Sequence, residues 1–309
     1  VATLHWTFSK SLGGVAPAGD VDGDGFDDFW VGAPTDLSGT GDGYSYLFRG
    51  PLAGGTLDVA STANVTFQNT AALSSGSGTA AARFGDVNGD GITDAVIGQV
   101  WASDLRGVTY VVHGPLSGSY ALPAQADAVI RGSAQARFGR LGLAVVDVDG
   151  DGFDDLVAGA ERDGANGTEA GAVFVIRGSA SGLPSGDARS LAWMEVRGRE
   201  AGDRLGDYLD AVDLDGDGDP DLVAGAKWAR GHAGQVVVFR DFRPGVFTLD
   251  DADVALDFQA GEEAGRVHVL GDVDGDGHTD LGVAAVGGRD PGRPGESGHG
   301  AAYLFYGPF

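Results

Sequence analysis

The sequence predicts an all-β chain folded as a five-bladed β-propeller, with four antiparallel strands per blade and the ring closed by the N-terminal strand joining the last blade. Three observations predict it. An acidic nonapeptide recurs five times along 309 residues. Glycine-bounded apolar runs of strand length fill the intervals between copies. The two ends of the chain carry complementary parts of one repeat.

The nonapeptides are DVDGDGFDD from Asp20, DVNGDGITD from Asp86, DVDGDGFDD from Asp147, DLDGDGDPD from Asp213 and DVDGDGHTD from Asp272. Neighbouring copies lie 59 to 66 residues apart, so no interval hides a skipped copy and residues 1–309 read as a single domain of five repeats. Each loop is followed by an apolar stretch closing on small residues, as in Leu156 to Ala160 and Leu222 to Ala226. A second run follows, at Tyr44 to Phe48, Val108 to Val112, Ala172 to Ile176, Gln235 to Phe239 and Ala302 to Tyr306. A third lies at Val65 to Phe67, Ala128 to Ile130, Ala192 to Val196 and Val254 to Phe258, and a small-residue strand such as Leu143 to Val146 leads into the next loop. Two strands precede the first loop, near Leu4 to Phe8 and Val15 to Ala18, and two follow the last. Joined, they make a fifth four-strand unit. A solenoid would instead want polar caps at both ends.

Composition fits this picture. The 55 glycines, without an every-third-residue period, supply many turns and exclude collagen. A formal charge of −25 opposes nucleic acid and anionic lipid as partners. No apolar run approaches the roughly 18 residues of a membrane-spanning helix, so no membrane insertion is expected. The absence of cysteine excludes disulfides, thiolate metal sites and cysteine nucleophiles.

Carboxylate or amide oxygens recur at loop positions one, three, five and nine. These are Asp20, Asp22, Asp24 and Asp28; Asp86, Asn88, Asp90 and Asp94; Asp147, Asp149, Asp151 and Asp155; Asp213, Asp215, Asp217 and Asp221; Asp272, Asp274, Asp276 and Asp280. Position seven (Phe26, Ile92, Phe153, Asp219, His278) is expected to offer its carbonyl. Glycines at positions four and six permit the positive φ angles of a tight loop. A flexible, all-oxygen cage suits Ca²⁺, and five sites are expected. The second, with Asn88 for an aspartate, is expected to be the weakest. An EF-hand needs glutamate at position twelve between helices. That position is Val31, Ile97, Ala158, Ala224 and Val283, inside expected strands, so these are calcium-binding β-hairpins.

The repeat resembles the FG-GAP repeats of integrin α-subunit propellers. The third copy carries the likeness best, with Phe138-Gly139, the loop Asp147 to Asp155, and Ala158-Gly159-Ala160. The resemblance implies an extracellular, cell-surface or periplasmic location and a role in adhesion. Integrin propellers have seven blades against five here. The 18 arginines against 2 lysines and the missing cysteines suggest a bacterial relative.

Nothing in the sequence demands an active site. There is no G-x-S-x-G or H-E-x-x-H, and the six histidines are scattered. The expected function is a non-catalytic, calcium-stabilised recognition or adhesion module. A carbohydrate-binding lectin, a polysaccharide-degrading enzyme built on paired carboxylates, and a structural spacer are the alternatives. A protein or glycan ligand is expected on the face opposite the calcium loops. Trp101, Arg162 and Trp228 occupy equivalent positions there, with Arg137, Arg199, Arg204, Glu262 and Glu263 on nearby loops.

Overall fold

The computed structural model describes residues 2–5, 14–33, 43–70, 79–99, 105–287 and 300–309. Their regular structure is almost entirely β. In chain order the strands are β1 (Ala2–His5), β2 (Val15–Gly19), β3 (Asp28–Ala33), β4 (Tyr44–Phe48), β5 (Gly55–Asp58), β6 (Val65–Asn69), β7 (Thr79–Gly85), β8 (Asp94–Gln99), β9 (Val108–Val112), β10 (Gly118–Leu122), β11 (Ala128–Arg131) and β12 (Leu143–Val146). There follow β13 (Asp155–Ala160), β14 (Ala172–Ile176), β15 (Gly186–Asp187), β16 (Met194–Arg197), β17 (Leu205–Val212), β18 (Asp221–Ala226), β19 (Gln235–Phe239), β20 (Gly245–Thr248), β21 (Val254–Asp257), β22 (Ala264–Gly271), β23 (Asp280–Ala285) and β24 (Ala301–Phe305). Single helical turns occur at Val59–Thr62 and Ala188–Leu191, and a turn with left-handed Arg230, Gly231 and His232 lies at Ala229–His232.

The chain divides into two compact units, residues 1–140 with 178–187, and residues 141–177 with 188–309. The first unit holds two five-stranded sheets, ordered β10-β6-β4-β3-β2 and β15-β11-β9-β8-β7, and the pair β1-β5. The second holds β12-β13-β14-β16-β20, β17-β18-β19-β21 and the three-stranded β22-β23-β24. Five multi-stranded sheets therefore correspond to the five repeats.

The four-strand antiparallel blade needs correction. A further strand, β10, β15 or β20, runs parallel to the fourth strand of the preceding repeat. These segments are short, open on an exposed or half-exposed glycine and bury few side chains, so they lack the apolar pattern that marks a strand. Backbone pairing holds them, helped in β10 by Leu122 and Tyr120 and in β20 by Phe247, which pack against their cores. β1 pairs with β5 in the same parallel sense, from Ala2↔Gly55 to His5↔Asp58. It thus takes the role beside β5 that β6 takes beside β10.

Burial follows strand position. The second strands β8, β13 and β18 are buried at every residue, because both faces of a central strand are covered. Outer β6 alternates buried and half-buried residues. In the first unit one core gathers Trp30, Leu47, Phe67, Ile97 and Tyr110. In the second, Val157, Val175, Met194, Leu222 and Phe239 form another.

Adjacent sheets of the second unit meet backbone to backbone. Gly171 forms a parallel bridge with Leu205, and Gly234 forms one with Ala264. Both glycines have positive φ, and a Cβ on either would lie within 2.3 Å of the facing backbone. The residue before each bridged position, Arg204 or Glu263, also has positive φ despite its side chain. Its N–H donates to the carbonyl of Glu169 or His232, which are themselves left-handed. The joint recurs in the first unit, where Arg137 donates to Leu105.

Candidate metal loops and the opposite loop face

Every acidic loop is built on one hydrogen-bond scaffold. The position-one carboxylate accepts the N–H groups of positions four and six at 2.6 to 3.0 Å in all five copies. The position-five carboxylate accepts the N–H of position seven at 2.8 to 3.0 Å. The position-nine carboxylate reaches across the loop to the N–H of position two at 2.7 to 3.1 Å. Both glycine positions have positive φ in all five copies, from 71° at Gly89 to 99° at Gly218. A Cβ there would force the left-handed conformation that L-residues resist.

Position nine joins the loop to the third strand. Asp28, Asp94 and Asp280 each accept a second bond, from the N–H of Gly50, Gly114 and Gly307 at 2.8 to 3.0 Å. All five position-nine aspartates are buried. Burial pushes the Asp28 and Asp94 carboxyls up. Asp221 is pushed up to about 6, by burial first and then by the charges of Asp215, Asp217 and Asp213. Its Oδ1 is buried without a hydrogen-bond partner.

These features fit a hard divalent cation. The donors are all oxygen, the loop is fixed by its own backbone, and one buried carboxylate oxygen has nothing to bind. Carboxylate oxygens come within 4.8 Å of one another for Asp20, Asp22 and Asp28, for Asp147, Asp149 and Asp155, and for Asp213, Asp215 and Asp221. In the fifth loop the group is Asp272, Asp274 and Asp276 instead. The acids of the second loop, interrupted by Asn88, are not among these groups.

The other expected site is only partly assembled. In each sheet the connection from second to third strand leaves at the end opposite the acidic loop. Arg162 and Trp228 come together there through two residues whose spacing gave no sign of it. Arg162 pairs with Glu169 at 3.3 Å, and Arg204 donates to Glu169 at 3.0 Å. The Arg204 guanidinium lies 3.4 Å from the centre of the Trp228 ring, and the His232 ring is centred 4.9 Å away. Trp228 is half-buried, so the indole is engaged within the fold. Trp101 lies outside the described residues. Arg199 pairs with Asp250, and Glu262 is buried against the Tyr303 hydroxyl at 2.6 Å.

Sequence reasoning missed one buried charge cluster. Lys227 contacts Asp207 and lies 3.5 Å from Glu161. Both carboxylates are almost fully buried, at 3% and 1% exposure. Burial and the Glu161 charge push Asp207 up. The three residues come from separate repeats or strand ends, so no local spacing could have paired them.

A repeating all-β chain whose hairpins carry acidic oxygen loops is the class that this architecture defines. The FG-GAP repeat model matches residues 140–176 and 209–239, each match spanning one acidic loop and the two strands that follow it. Integrin alpha-PS2 of Drosophila melanogaster is 34% identical over 152 residues, covering 46% of this chain and 11% of that protein. Integrin alpha pat-2 of Caenorhabditis briggsae is 28% identical over 236 residues, covering 72% of this chain and 18% of that protein. Phosphatidylinositol-glycan-specific phospholipase D of Bos taurus is 32% identical over 170 residues, covering 52% of this chain and 20% of that protein. The chain carries FG-GAP repeats, and integrin α subunits are among its homologues. It spans less than a quarter of the length of these relatives. They are animal proteins and do not bear out the bacterial origin suggested by the arginine-rich composition. Among the described residues no helix is long and apolar enough to cross a membrane.

Proposed function

We propose that the chain is a non-catalytic, calcium-binding propeller acting outside the cell as a recognition or adhesion module. One observation carries this reading: five loops repeat the same scaffold and the same oxygen donors. A calcium ion in each loop would be held by positions one, three, five and nine and by the position-seven carbonyl. It would supply positive charge that binds two ends of a hairpin together. Affinities of about 10⁻⁴ to 10⁻³ M suit loops of this kind where calcium is millimolar, which favours an extracellular or cell-surface setting.

The same reading takes the five sheets as five blades of one ring. Two features described separately support it. β1 stands beside β5 in the role of a fourth strand, and the sheet β22-β23-β24 has only three. Electron-microscopy class averages with five-fold blades test this, and an open array would overturn it.

The partner is a protein on the face opposite the calcium loops. Integrin homology favours it, and Arg162, Glu169 and Arg204 offer both charges there. Sugar stacking on Trp228 is disfavoured because Arg204 already covers that ring. A catalytic carboxylate pair at Glu161 and Asp207 is disfavoured because both are closed to solvent. The test is a matrix-protein and glycan array in millimolar calcium with a chelator control. Calcium-dependent capture of one protein class supports the module, and turnover of a polysaccharide or phospholipid would overturn the non-catalytic reading.

A further inference from the structure

Three of the five loops carry a cation of their own. The residue that directly follows the third strand of each repeat is Arg49, His113, Arg177, Arg240 or Tyr306. The residue after it packs onto the loop: the Gly50 N–H donates to Asp28, and a Cβ on Gly50 would lie 2.8 Å from the Asp27 carbonyl oxygen. The exit from the strand therefore places this side chain over the loop of its own repeat. In the first, third and fourth repeats that side chain is a guanidinium aimed at position three. Arg49 Nε lies 3.1 Å from Asp22, Arg177 Nη1 donates to Asp149 at 2.9 Å, and Arg240 Nε lies 3.8 Å from Asp215.

A second observation sorts the loops the same way. The arginine-bearing loops are the three in which positions one, three and nine bring carboxylate oxygens within 4.8 Å. Each of those groups includes the buried position nine, whereas the three acids that converge in the fifth loop are all exposed. Water screens like charges at the surface but not beside a buried carboxylate. Two acids gathered around a buried third need a counter-charge. The arginine supplies it where it is present, and His113 and Tyr306 stand in its place in the other two repeats.

We propose that Arg49, Arg177 and Arg240 are built-in counter-cations that hold their loops together in the calcium-free protein and compete electrostatically with the incoming ion. This rests on the calcium reading above. The sign follows from Coulomb's law. A guanidinium beside Asp149 is attracted most strongly while that carboxylate is unneutralised, and it repels Ca²⁺ once the ion arrives. The arginine therefore stabilises the free loop more than the loaded one. By linkage, it weakens calcium binding.

The test compares the wild type with Arg177→Gln, with the triple change Arg49→Gln, Arg177→Gln and Arg240→Gln, and with the reciprocal Tyr306→Arg. Melting temperatures are read in EDTA and in millimolar calcium, and calcium binding is read by titration calorimetry. Arg177→Gln is expected to lower Tm in EDTA by about 2 °C, the scale of one exposed ion pair in a chain of this size, and to leave Tm in calcium nearly unchanged. The triple variant is expected to show a larger drop and a calcium affinity raised by about three- to fivefold at the affected sites. Tyr306→Arg is expected to do the reverse at the fifth loop, which keeps the test open should the triple variant fail to fold. The differences should shrink in about 1 M salt, which a packing role would not do. An unchanged Tm in EDTA, or a calcium affinity that falls when the arginine is removed, overturns the proposal. A wild type that takes up no calcium overturns the calcium reading itself and this inference with it.

Discussion

Gly159 lies directly beneath the backbone of Gly206: a Cβ on Gly159 would stand 1.8 Å from the Gly206 carbonyl oxygen. Gly225 and Gly265 repeat the relationship at the same distance. The two glycine elements of the repeat are therefore halves of one joint, each provided by a neighbouring sheet. The obstacle is backbone, set in a bulge directly after the paired Leu205 or Ala264, and not a side chain that could rotate away. Gly159→Ala is expected to cost about 3 kcal/mol, at the upper end of overpacking penalties. Urea denaturation should show a lowered midpoint, whereas Gly164→Ala, whose Cβ would meet nothing closer than 3.8 Å, should change it little.

The buried trio of Glu161, Asp207 and Lys227 holds two carboxylates against one ammonium. Lys227→Met strands both acids and is expected to cost about 3 to 5 kcal/mol at neutral pH. Asp207→Asn leaves a balanced pair and is expected to cost much less. The pH dependence follows from the raised Asp207 pKa. An acid whose folded pKa lies above its unfolded value imposes a penalty that is full above the folded pKa and absent below the unfolded one. Acidification from neutral pH should thus recover stability in Lys227→Met, and less in Asp207→Asn. A flat pH response in Lys227→Met would contradict the trio as the cause.

The sequence made the repeat legible because its signals are local. Asp147 and Gly150 are three residues apart, and their bond closes within one loop, so spacing alone exposes it. Likewise β13 reads as an apolar run, Leu156 to Ala160, with the required Gly159 next to its end. What stayed hidden depends on meetings across sheets. β10 and β20 carry no apolar alternation, and only the neighbouring strand makes them strands. Arg204 and Trp228 are distant in sequence, so the covering of the indole could not be foreseen. The arginine at the end of the third strand could have been noticed, since Arg49, Arg177 and Arg240 recur at one place in the repeat. Its target could not.

Trp228 separates recognition from packing. With Arg204 over its ring and His232 beside it, truncation removes a cation–π contact as well as buried area. Trp228→Ala is expected to destabilise by about 2 to 3 kcal/mol. A double-mutant cycle with Arg204→Ala should give a coupling of about 1 kcal/mol. Additive effects in chemical denaturation would show that the stacked geometry contributes nothing. Loss of ligand capture in Trp228→Ala with stability unchanged would return the tryptophan to the binding face.

Positions one and three of a metal loop should respond differently to calcium, because position one holds far more of the loop backbone. In the fifth loop, Asp272 accepts the N–H groups of Gly275, Asp276 and Gly277 at 2.6 to 3.1 Å. Asp272→Ala leaves three donors without their acceptor and should destabilise the protein by about 1 to 2 kcal/mol even in EDTA, since water can replace part of each bond. Asp274 accepts only the Asp276 N–H, at 3.2 Å, and an asparagine carbonyl can keep that bond. Asp274→Asn removes one negative charge from an exposed acidic group, so in EDTA it should be neutral or slightly stabilising. In calcium the order reverses for this position: the lost charge weakens the site, and the stabilisation that mass action gives the wild type shrinks. Melting curves of both variants with and without calcium decide it. Equal behaviour of Asp274→Asn in the two conditions, with the wild type responding to calcium, would mean that the fifth loop takes no ion.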